Sequence, residues 1–288
     1  MKTAVIYYFS GTGNTELVAN MLKEELSKHE YNIDMIKIED VLKNNLTIDI
    51  NKYDLIGIGS QVIGYGAPNI VYKFIQRLPE VKDKKAFIFR TSGGVAPINY
   101  NVSKSIIRRL KKKGYKVFYE RIFSICSNWV VKFNDNVVKE LYEATRKKVS
   151  IMCDEVIRGE KRILKTSLGL KILMEFVAFI SRPCFNLLGK DLVVSKSCVN
   201  CGLCIKNCPA QNIYEKKGKI KFKLNCNCCM RCIYSCPKNA ISFRLVKFFA
   251  VPGGYNIKKT LEKPYVSNGE KNEDIPAFFN KYITDDNL

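Results

Sequence analysis

Two runs of four cysteines carry most of the chemistry that this sequence can support. Each run has the spacing Cys-x2-Cys-x2-Cys-x3-Cys-Pro, and the second repeats the first 28 residues later: Cys198, Cys201, Cys204 and Cys208, then Cys226, Cys229, Cys232 and Cys236. Thiolates at this spacing are typical ligands of paired iron–sulfur clusters. Three closely spaced thiolates wrap one cluster, and the fourth, directed away by the proline that follows it, reaches the other.

The spacing predicts two [4Fe–4S] clusters with crossed ligands, as in bacterial ferredoxins. One cluster would be held by Cys198, Cys201, Cys204 and Cys236, and the other by Cys226, Cys229, Cys232 and Cys208. Zinc is the alternative, because paired Cys-x2-Cys runs also bind zinc. Zinc explains neither the Cys-Pro endings nor the repeat, so we favour clusters. Cys228 lies out of frame, and we expect it to be a spare thiol.

The use of cysteine also bears on the cellular compartment. Eight of the twelve cysteines are accounted for as thiolate ligands, so their number does not imply disulfides. Clusters of this kind need a reducing environment, and the N-terminus opens directly into a strand-like run without a signal-peptide core. We therefore expect a cytoplasmic protein.

Residues 1–160 alternate strand-like apolar runs with segments of helical spacing, a pattern that predicts an α/β fold with a doubly wound parallel sheet. Ligands of such sheets bind outside the carboxyl ends of the strands, where the winding reverses direction. Five strands are predicted, at residues 4–9, 33–36, 55–58, 86–89 and 117–119.

The loop after the first predicted strand, Ser10 to Thr15, is rich in glycine and hydroxyl groups. A strand-to-helix turn of this kind suits an anion at the helix N-terminus. The loop contains no lysine or arginine, which excludes a P-loop, and Glu16 stands where a dinucleotide-binding fingerprint has its third glycine. A permanently bound monoester phosphate fits best; an ordinary glycine-containing turn is the alternative.

This half of the chain resembles the flavodoxin family, whose phosphate loop is matched by Ser10, Thr12, Gly13 and Thr15. The resemblance implies a five-stranded sheet and non-covalently bound FMN. Its phosphate would lie at Ser10, Gly11, Thr12, Gly13, Asn14 and Thr15, and its ring between Ser60, Gln61, Gly64, Tyr65, Thr91, Ser92, Gly93 and Gly94. Tyr65 is a candidate to stack on the ring or lie at its edge, with backbone contacts of the glycine-rich loop as the alternative. Trp129 is a candidate flavin or substrate contact, with surface packing as the alternative.

A flavodoxin-like half followed by a small α+β two-cluster ferredoxin domain resembles the EFR1-type ferredoxins of anaerobes. We expect four regions: an FMN domain (1–160), a linker helix (161–191), a ferredoxin domain (192–245) and a C-terminal tail (246–288). We assign the tail no function and expect its polar segments at 268–274 and 284–288 to be mobile.

Two readings of the linker helix are open. Lys171 and Glu175 interrupt its apolar run, which makes the run too short and too charged to span a bilayer. We favour a helix wedged between the two domains and buried on most sides. The alternative is an in-plane anchor at a membrane surface, because the run has basic neighbours: Lys161, Arg162, Lys165 and Lys190.

The formal net charge of +21 indicates an acidic redox partner. The lysines are scattered and no nucleic-acid motif is present, so we expect no nucleic-acid partner. The favoured function is electron transfer between FMN and the two clusters. One alternative is a flavin-dependent reductase of a quinone or nitro compound, wired by the clusters. Another is a ferredoxin whose first half has lost flavin and only docks partners. No acid–base constellation favours the enzyme.

Overall fold

The first domain is built around a parallel sheet. The computed structural model describes residues 1–264 and 275–288. Five strands, in the order β2-β1-β3-β4-β5, confirm the predicted sheet: β1 (Lys2–Phe9), β2 (Tyr31–Lys37), β3 (Leu55–Gln61), β4 (Lys84–Ser92) and β5 (Tyr115–Ser124). These strands are apolar on both faces because helices cover both, as parallel sheets require. The winding reverses between β1 and β3, which creates a crevice at that edge of the sheet.

Five helices pack on this sheet in two layers: α1 (Asn14–Lys28), α2 (Ile38–Lys43), α3 (Asn69–Arg77), α4 (Lys104–Lys112) and α5 (Asp135–Arg158). Helices α1 and α5 bury Val18, Leu22 and Met152 on one face. Helices α2 to α4 bury Ile70 and Ile106 on the other. A 3₁₀ turn at Pro97–Asn99 precedes α4.

The linker forms helix α6 (Leu168–Asp191), and its exposure corrects our expectation. Only a narrow stripe that includes Met174 and Ala178 is buried, whereas Phe176 is 60% exposed and Phe179 is 73% exposed. The helix lies along the protein surface, where Glu175 and Asn186 bond to the first domain and the carbonyl of Phe185 accepts from Cys228 of the second. Among the described residues it is the one helix whose length and composition would suffice to cross a membrane, so the prediction that the run is too short was wrong.

The second domain is small and mixed. Strand β6 (Leu192–Val194) follows α6, and it pairs antiparallel with β9 (Ile241–Phe243). Between them lie α7 (Leu203–Asn207), the hairpin of β7 (Ile213–Lys216) and β8 (Lys219–Phe222), and α8 (Arg231–Tyr234). The domain has its own core, to which Ile213 and Ile241 contribute as equivalent positions of the two 28-residue halves.

The C-terminal segment is largely packed against the first domain. After a 3₁₀ turn at Lys247–Phe249 come α9 (Ile257–Glu262) and α10 (Ala277–Thr284). Ile257, Phe279 and Tyr282 are buried in the same core as α1 and α5. The polar segment at 268–274, expected to be mobile, lies outside the described residues. The last residues are tied down, since Lys148 Nζ donates to the carbonyl of Asp285 at 2.6 Å.

Candidate functional site

A cavity of about 230 Å³ opens at the carboxyl edge of the sheet, at the crevice where the winding reverses. Four strand ends of the first domain and the segments that follow them line it: Ser10, Gly11 and Thr12 after β1, with Asn14 and Thr15 at the start of α1; Gln61 at the end of β3, with Val62, Ile63 and Gly64 after it; Thr91 and Ser92 at the end of β4, with Gly93 after it; and Ile125, Cys126, Ser127, Asn128 and Trp129 after β5. Phe185 of α6 and Cys228 and Cys229 of the second domain complete the lining.

The loop after β1 is held in shape by its own hydroxyls. Gly13, at the N-cap of α1, has φ of +104°, a conformation that strongly favours glycine. Its N–H donates to Ser10 Oγ at 3.2 Å. The hydroxyl of Thr12 accepts from Asn128 Nδ2 at 2.8 Å, and the hydroxyl of Thr15 bonds that of Thr91 at 2.8 Å. The first N–H groups of α1 have no partner within the helix and face this loop.

Asn14 connects the loop to the C-terminal segment. Its Nδ2 donates to the carbonyl of Cys126 at 3.0 Å, and its Oδ1 accepts from the hydroxyl of Tyr255 at 2.7 Å. Ile257 lies against Gly13, where an added Cβ would come within 3.2 Å of its side chain. A segment to which the sequence assigned no role thus braces the predicted phosphate loop.

Not every residue predicted to grip a flavin ring lies at the cavity. Gln61, Gly64, Thr91, Ser92, Gly93 and Trp129 line it, but Ser60, Tyr65 and Gly94 do not, nor does Gly13 of the phosphate loop. Ser60 is buried within β3, and Gly94 faces Phe278. Tyr65 lines a different cavity beside Glu175 and Phe179, which corrects its expected role as a flavin contact.

A tight turn places Tyr65 outside the sheet-edge cavity. Ile63 and Gly66 exchange both backbone hydrogen bonds, at 3.2 and 3.0 Å. Gly64 and Tyr65 between them both have positive φ, +52° and +57°, as in a two-residue hairpin turn. The turn carries the Tyr65 side chain to the α6 side of the loop. A glycine-rich stretch in the sequence does not indicate which of its residues form the turn.

Arg90, near the end of β4, fixes the loop after β3 and was missed in the sequence. Its guanidinium is fully buried and donates to the carbonyls of Ser60, Gln61, Gly66 and Val102 at 2.6–3.1 Å. Burial lowers the pKa of Arg90 to about 10. A lone arginine ending an apolar strand was the available signal. It anchors the backbone that lines the cavity.

The second domain meets the phosphate loop directly. A Cβ added to Gly11 would lie 2.3 Å from the carbonyl oxygen and 2.9 Å from the Cβ of Cys229, so only glycine fits there. Arg231 donates to the carbonyls of Ser10 at 2.6 Å and Gly11 at 3.2 Å. The same guanidinium pairs with the buried carboxylate of Glu39 at 2.6 Å. These contacts seat α8 of the second domain on the β1 loop.

The eight repeated cysteines line two separate cavities in the second domain, and each cavity contains three cysteines of one run and one of the other. One cavity contains Cys198, Cys201, Cys204 and Cys236, and the other contains Cys208, Cys226, Cys229 and Cys232. Within the described part of the chain, no three His, Cys, Asp or Glu side chains are grouped to hold a single metal ion.

Backbone N–H groups point at several of these sulfurs. The N–H of Asn212 donates to Cys208 Sγ, and that of Ala240 donates to Cys236 Sγ, each at 3.2 Å. Hydrogen bonds of this kind favour a charged sulfur over a protonated one. Cys228 also borders the second cavity, but its Sγ donates to the carbonyl of Phe185 at 3.1 Å. A hydrogen bond to Cys226 and burial hold the pKa of Cys228 far above its usual range.

Comparisons with known proteins concern mainly the first domain. Residues 5–119 match the flavodoxin domain family. An uncharacterised Methanocaldococcus jannaschii protein is 32% identical over 120 residues, 42% of this chain and 73% of its own length. The probable flavodoxin 1 of Bacillus subtilis is 35% identical over 82 residues, 28% of this chain and 48% of its own length. The putative electron transport protein YccM of Escherichia coli is 37% identical over 54 residues, 18% of this chain and 15% of its own length.

Solved structures with a similar fold include two flavodoxins. The reduced Megasphaera elsdenii flavodoxin is 26% identical, with 50% of this chain and 98% of that chain covered and a TM-score of 0.35. Flavodoxin 2 of Bacillus cereus is 20% identical, with 54% and 99% covered and a TM-score of 0.39. The family match over residues 5–119, the jannaschii relative and the strand order agree, and the chain therefore belongs, through its first domain, to the flavodoxin family.

Proposed function

We propose that this chain is an electron-transfer protein that binds FMN at the sheet-edge cavity and two [4Fe–4S] clusters at the cysteine-lined cavities. The observation that carries the proposal is the contact between Gly11 and Cys229. It brings a predicted cluster ligand against the predicted phosphate loop. Cys229 also lines both cavities concerned, so the two cofactor sites share a wall.

The donor and acceptor groups of the sheet-edge cavity fit FMN. The β1 loop offers hydroxyls and the N-terminus of α1 to a phosphate, without a cationic side chain. Gln61 Oε1 is buried without a hydrogen-bond partner in the described structure, which suits a ligand that carries an N–H donor, as a flavin ring does. Ile63, Trp129 and Phe185 supply apolar surface for the ring.

Eight thiolates in two cavities fit the crossed ligation of two clusters. We assign Cys198, Cys201, Cys204 and Cys236 to one cluster and Cys208, Cys226, Cys229 and Cys232 to the other. A single zinc ion would need its four ligands to converge on one point. The N–H groups of Asn212 and Ala240 would stabilise the negative charge on ligand sulfurs.

A flavin that accepts one or two electrons, beside clusters that exchange one, lets a protein connect the two kinds of donor. The chain's own residues keep the two sites together and dry. Arg231, held between Glu39 and the carbonyls of Ser10 and Gly11, locks the domains in register. Phe185 and Cys228 close the cavity on the side of the second domain.

A reductase of a small acceptor is the second candidate, and an open cavity above the flavin would favour it. Trp129 and Phe185 instead meet edge to face across the cavity lining, with ring centroids 5.8 Å apart. The second domain covers a further side. Because these aromatic rings and the second domain border the cavity, we favour the electron carrier. A first domain that only docked partners would leave the buried Gln61 Oε1 without a hydrogen-bond partner.

We further propose that the physiological partner is an acidic redox protein. The net charge of +21 supports this, since a strongly basic surface attracts and steers acidic partners. Carriers must dock transiently, and interfaces of that kind are small and dominated by long-range charge.

One experiment tests the cofactors together. The full chain is purified without oxygen, its iron and zinc are counted, and FMN is titrated while its fluorescence is followed. We expect about eight irons per chain, as two [4Fe–4S] clusters require, and uptake of about one FMN. Zinc in place of iron would overturn the clusters, and fluorescence that stays unquenched by the protein would overturn the flavin site.

A further inference from the structure

Helix α6 presents an apolar face that nothing in the described structure covers. The face consists of Leu168, Ile172, Phe176, Phe179, Ile180 and Leu187, which recur at the spacing of one helix side. All of these side chains are exposed, Leu168 to 70% and Phe179 to 73%. Six exposed apolar side chains on one side of a helix mark a contact site.

The polarity of the helix is inverted relative to that of an ordinary surface helix. Its polar groups turn inward onto the first domain. Glu175 pairs with Arg108 at 3.2 Å, and Ser181 Oγ donates to the carbonyl of Gly64 at 3.0 Å. The carbonyl of Lys171 accepts from Asn101 Nδ2 at 3.3 Å. The side that faces away from the protein is the apolar one.

These inward contacts run along most of the helix. Asn101 meets its first turns, and Asn69 Nδ2 donates to Asn186 Oδ1 at 3.1 Å near its end. A helix attached along its length cannot leave the protein to cross a bilayer without breaking these bonds. It can lie in the plane of a bilayer surface and bury its outer face among lipids.

Basic side chains lie on the segments next to this helix. Lys161 and Lys165 precede the helix and Lys190 is in its last turn, all three exposed. Helix α4, which Arg108 joins to α6, adds Arg109, Lys111 and Lys112. Anionic headgroups attract clusters of basic side chains that lie near the membrane surface. A second copy of this chain would bring another +21 against them, so charge disfavours a dimer through this face.

We propose that α6 docks the protein on an anionic membrane surface, with its apolar face in the headgroup region and the flanking lysines and arginines on the lipid phosphates. This inference stands independently of the cofactors. It needs only the helix face and its charge.

Sedimentation with vesicles tests the docking. The full chain is mixed with phosphatidylcholine vesicles, with or without phosphatidylglycerol, and the bound fraction is measured at low and high salt. We expect binding only to the anionic vesicles, weakened by salt. Phe176→Ser combined with Phe179→Ser should reduce the partition coefficient at least tenfold, whereas Leu46→Ser combined with Val131→Ser, at exposed apolar positions off this face, should not.

Thermal unfolding of each variant shows whether it is folded, because all four positions are exposed and a shift of only a few degrees is expected. Binding that is absent with every vesicle, or equal for the two double variants, would overturn the proposal. A dimer in solution that Phe176→Ser with Phe179→Ser abolishes would assign the face to a second copy instead.

Discussion

Cys228 and Cys229 are adjacent in the chain and both line the cavity that contains Cys208, Cys226 and Cys232, but their contacts differ. The Cys228 sulfur donates to the carbonyl of Phe185, whereas Cys229 contacts Gly11. Because Cys228 falls outside the frame of the repeat, we predict that only Cys229 is a cluster ligand. The sequence could not show that both residues would also line the sheet-edge cavity.

Serine at each of the two positions separates the roles. Cys228→Ser should leave about eight irons per chain, because its sulfur is bonded elsewhere, and Cys229→Ser should lose roughly half of them. Iron is counted per chain after oxygen-free purification. Loss of a whole cluster from Cys228→Ser, with Cys229→Ser intact, would show that the ligand frame is wrong.

The hydroxyls of Thr12 and Thr15 in the β1 loop are predicted to bind the FMN phosphate. Thr12→Ala combined with Thr15→Ala should weaken FMN binding roughly 10- to 100-fold, since hydrogen bonds to a charged group contribute about 1.5–3 kcal/mol each and are not fully additive. Fluorescence titration measures the change. Thr284→Ala, at an exposed hydroxyl on α10, is the matched control, and equal affinities for the two proteins would contradict the phosphate site.

Strands and helices differ in how far the sequence specified them. The five strands were predictable because each is an apolar run buried on two faces. The surroundings of α6 and of the C-terminal helices were not, since periodicity shows which side of a helix is apolar but not what that side meets. Ile257, Phe279 and Tyr282 therefore looked like part of a tail, and the outward face of α6 looked like a buried one.

Arg90 on β4 should stabilise the loop after β3 that lines the cavity. Arg90→Met would leave the carbonyls of Ser60, Gln61 and Gly66 unpaired in the interior, at a cost of about 3 kcal/mol in the free energy of unfolding. Urea unfolding measures this loss. Arg77→Met, on the exposed end of α3, should cost little. The two variants would have similar stability if the Arg90 bonds were unimportant.

Lys148 on α5 links stability to pH through its contact with the C-terminus. Burial lowers its pKa from 10.5 to about 8, so between these pH values the unfolded chain binds more protons than the folded one. The free energy of unfolding should therefore rise from pH 8 toward pH 10, by an amount on the order of 1 kcal/mol. Below pH 8 the folded protein bears the cost of a charged, buried ammonium group.

Urea unfolding at pH 7.5, 8.5 and 9.5 checks this dependence. Lys148→Met should remove the rise, and Lys147→Met, at its exposed neighbour, should retain it. Comparing the two variants cancels the titration of other groups. A rise that persists unchanged in Lys148→Met would mean that another group causes it.

For the whole molecule, the arrangement of the two domains is the feature that composition could not reveal. The sequence predicted a phosphate loop and a set of cluster cysteines about 180 residues apart, but not that Arg231 and Cys229 would contact Ser10 and Gly11. Contacts of this kind depend on surface shape, which local patterns do not encode. The net charge, in contrast, follows from composition alone, and it predicts how electron exchange depends on salt.

Electron exchange with anionic partners should depend on salt. Oxidation of the reduced protein by ferricyanide, a simple anionic probe, should slow several-fold between about 20 mM and 300 mM salt, as the screening length falls from about 20 Å to about 6 Å. Oxidation by a neutral quinone is the control and should change little. Rates that ignore salt for both oxidants would show that the basic surface has no part in choosing partners.

In the proposed function, FMN and the cluster that Cys229 binds exchange electrons directly within one chain, across the contact between Gly11 and Cys229. Laser-flash reduction of the flavin in the holoprotein, followed at flavin and cluster wavelengths over a range of protein concentrations, tests it most directly. We expect flavin reoxidation and cluster bleaching to share one rate constant, which is independent of protein concentration and lower in Gly11→Ala. A rate that rises in proportion to protein concentration, or a flavin that stays reduced beside intact clusters, would contradict it.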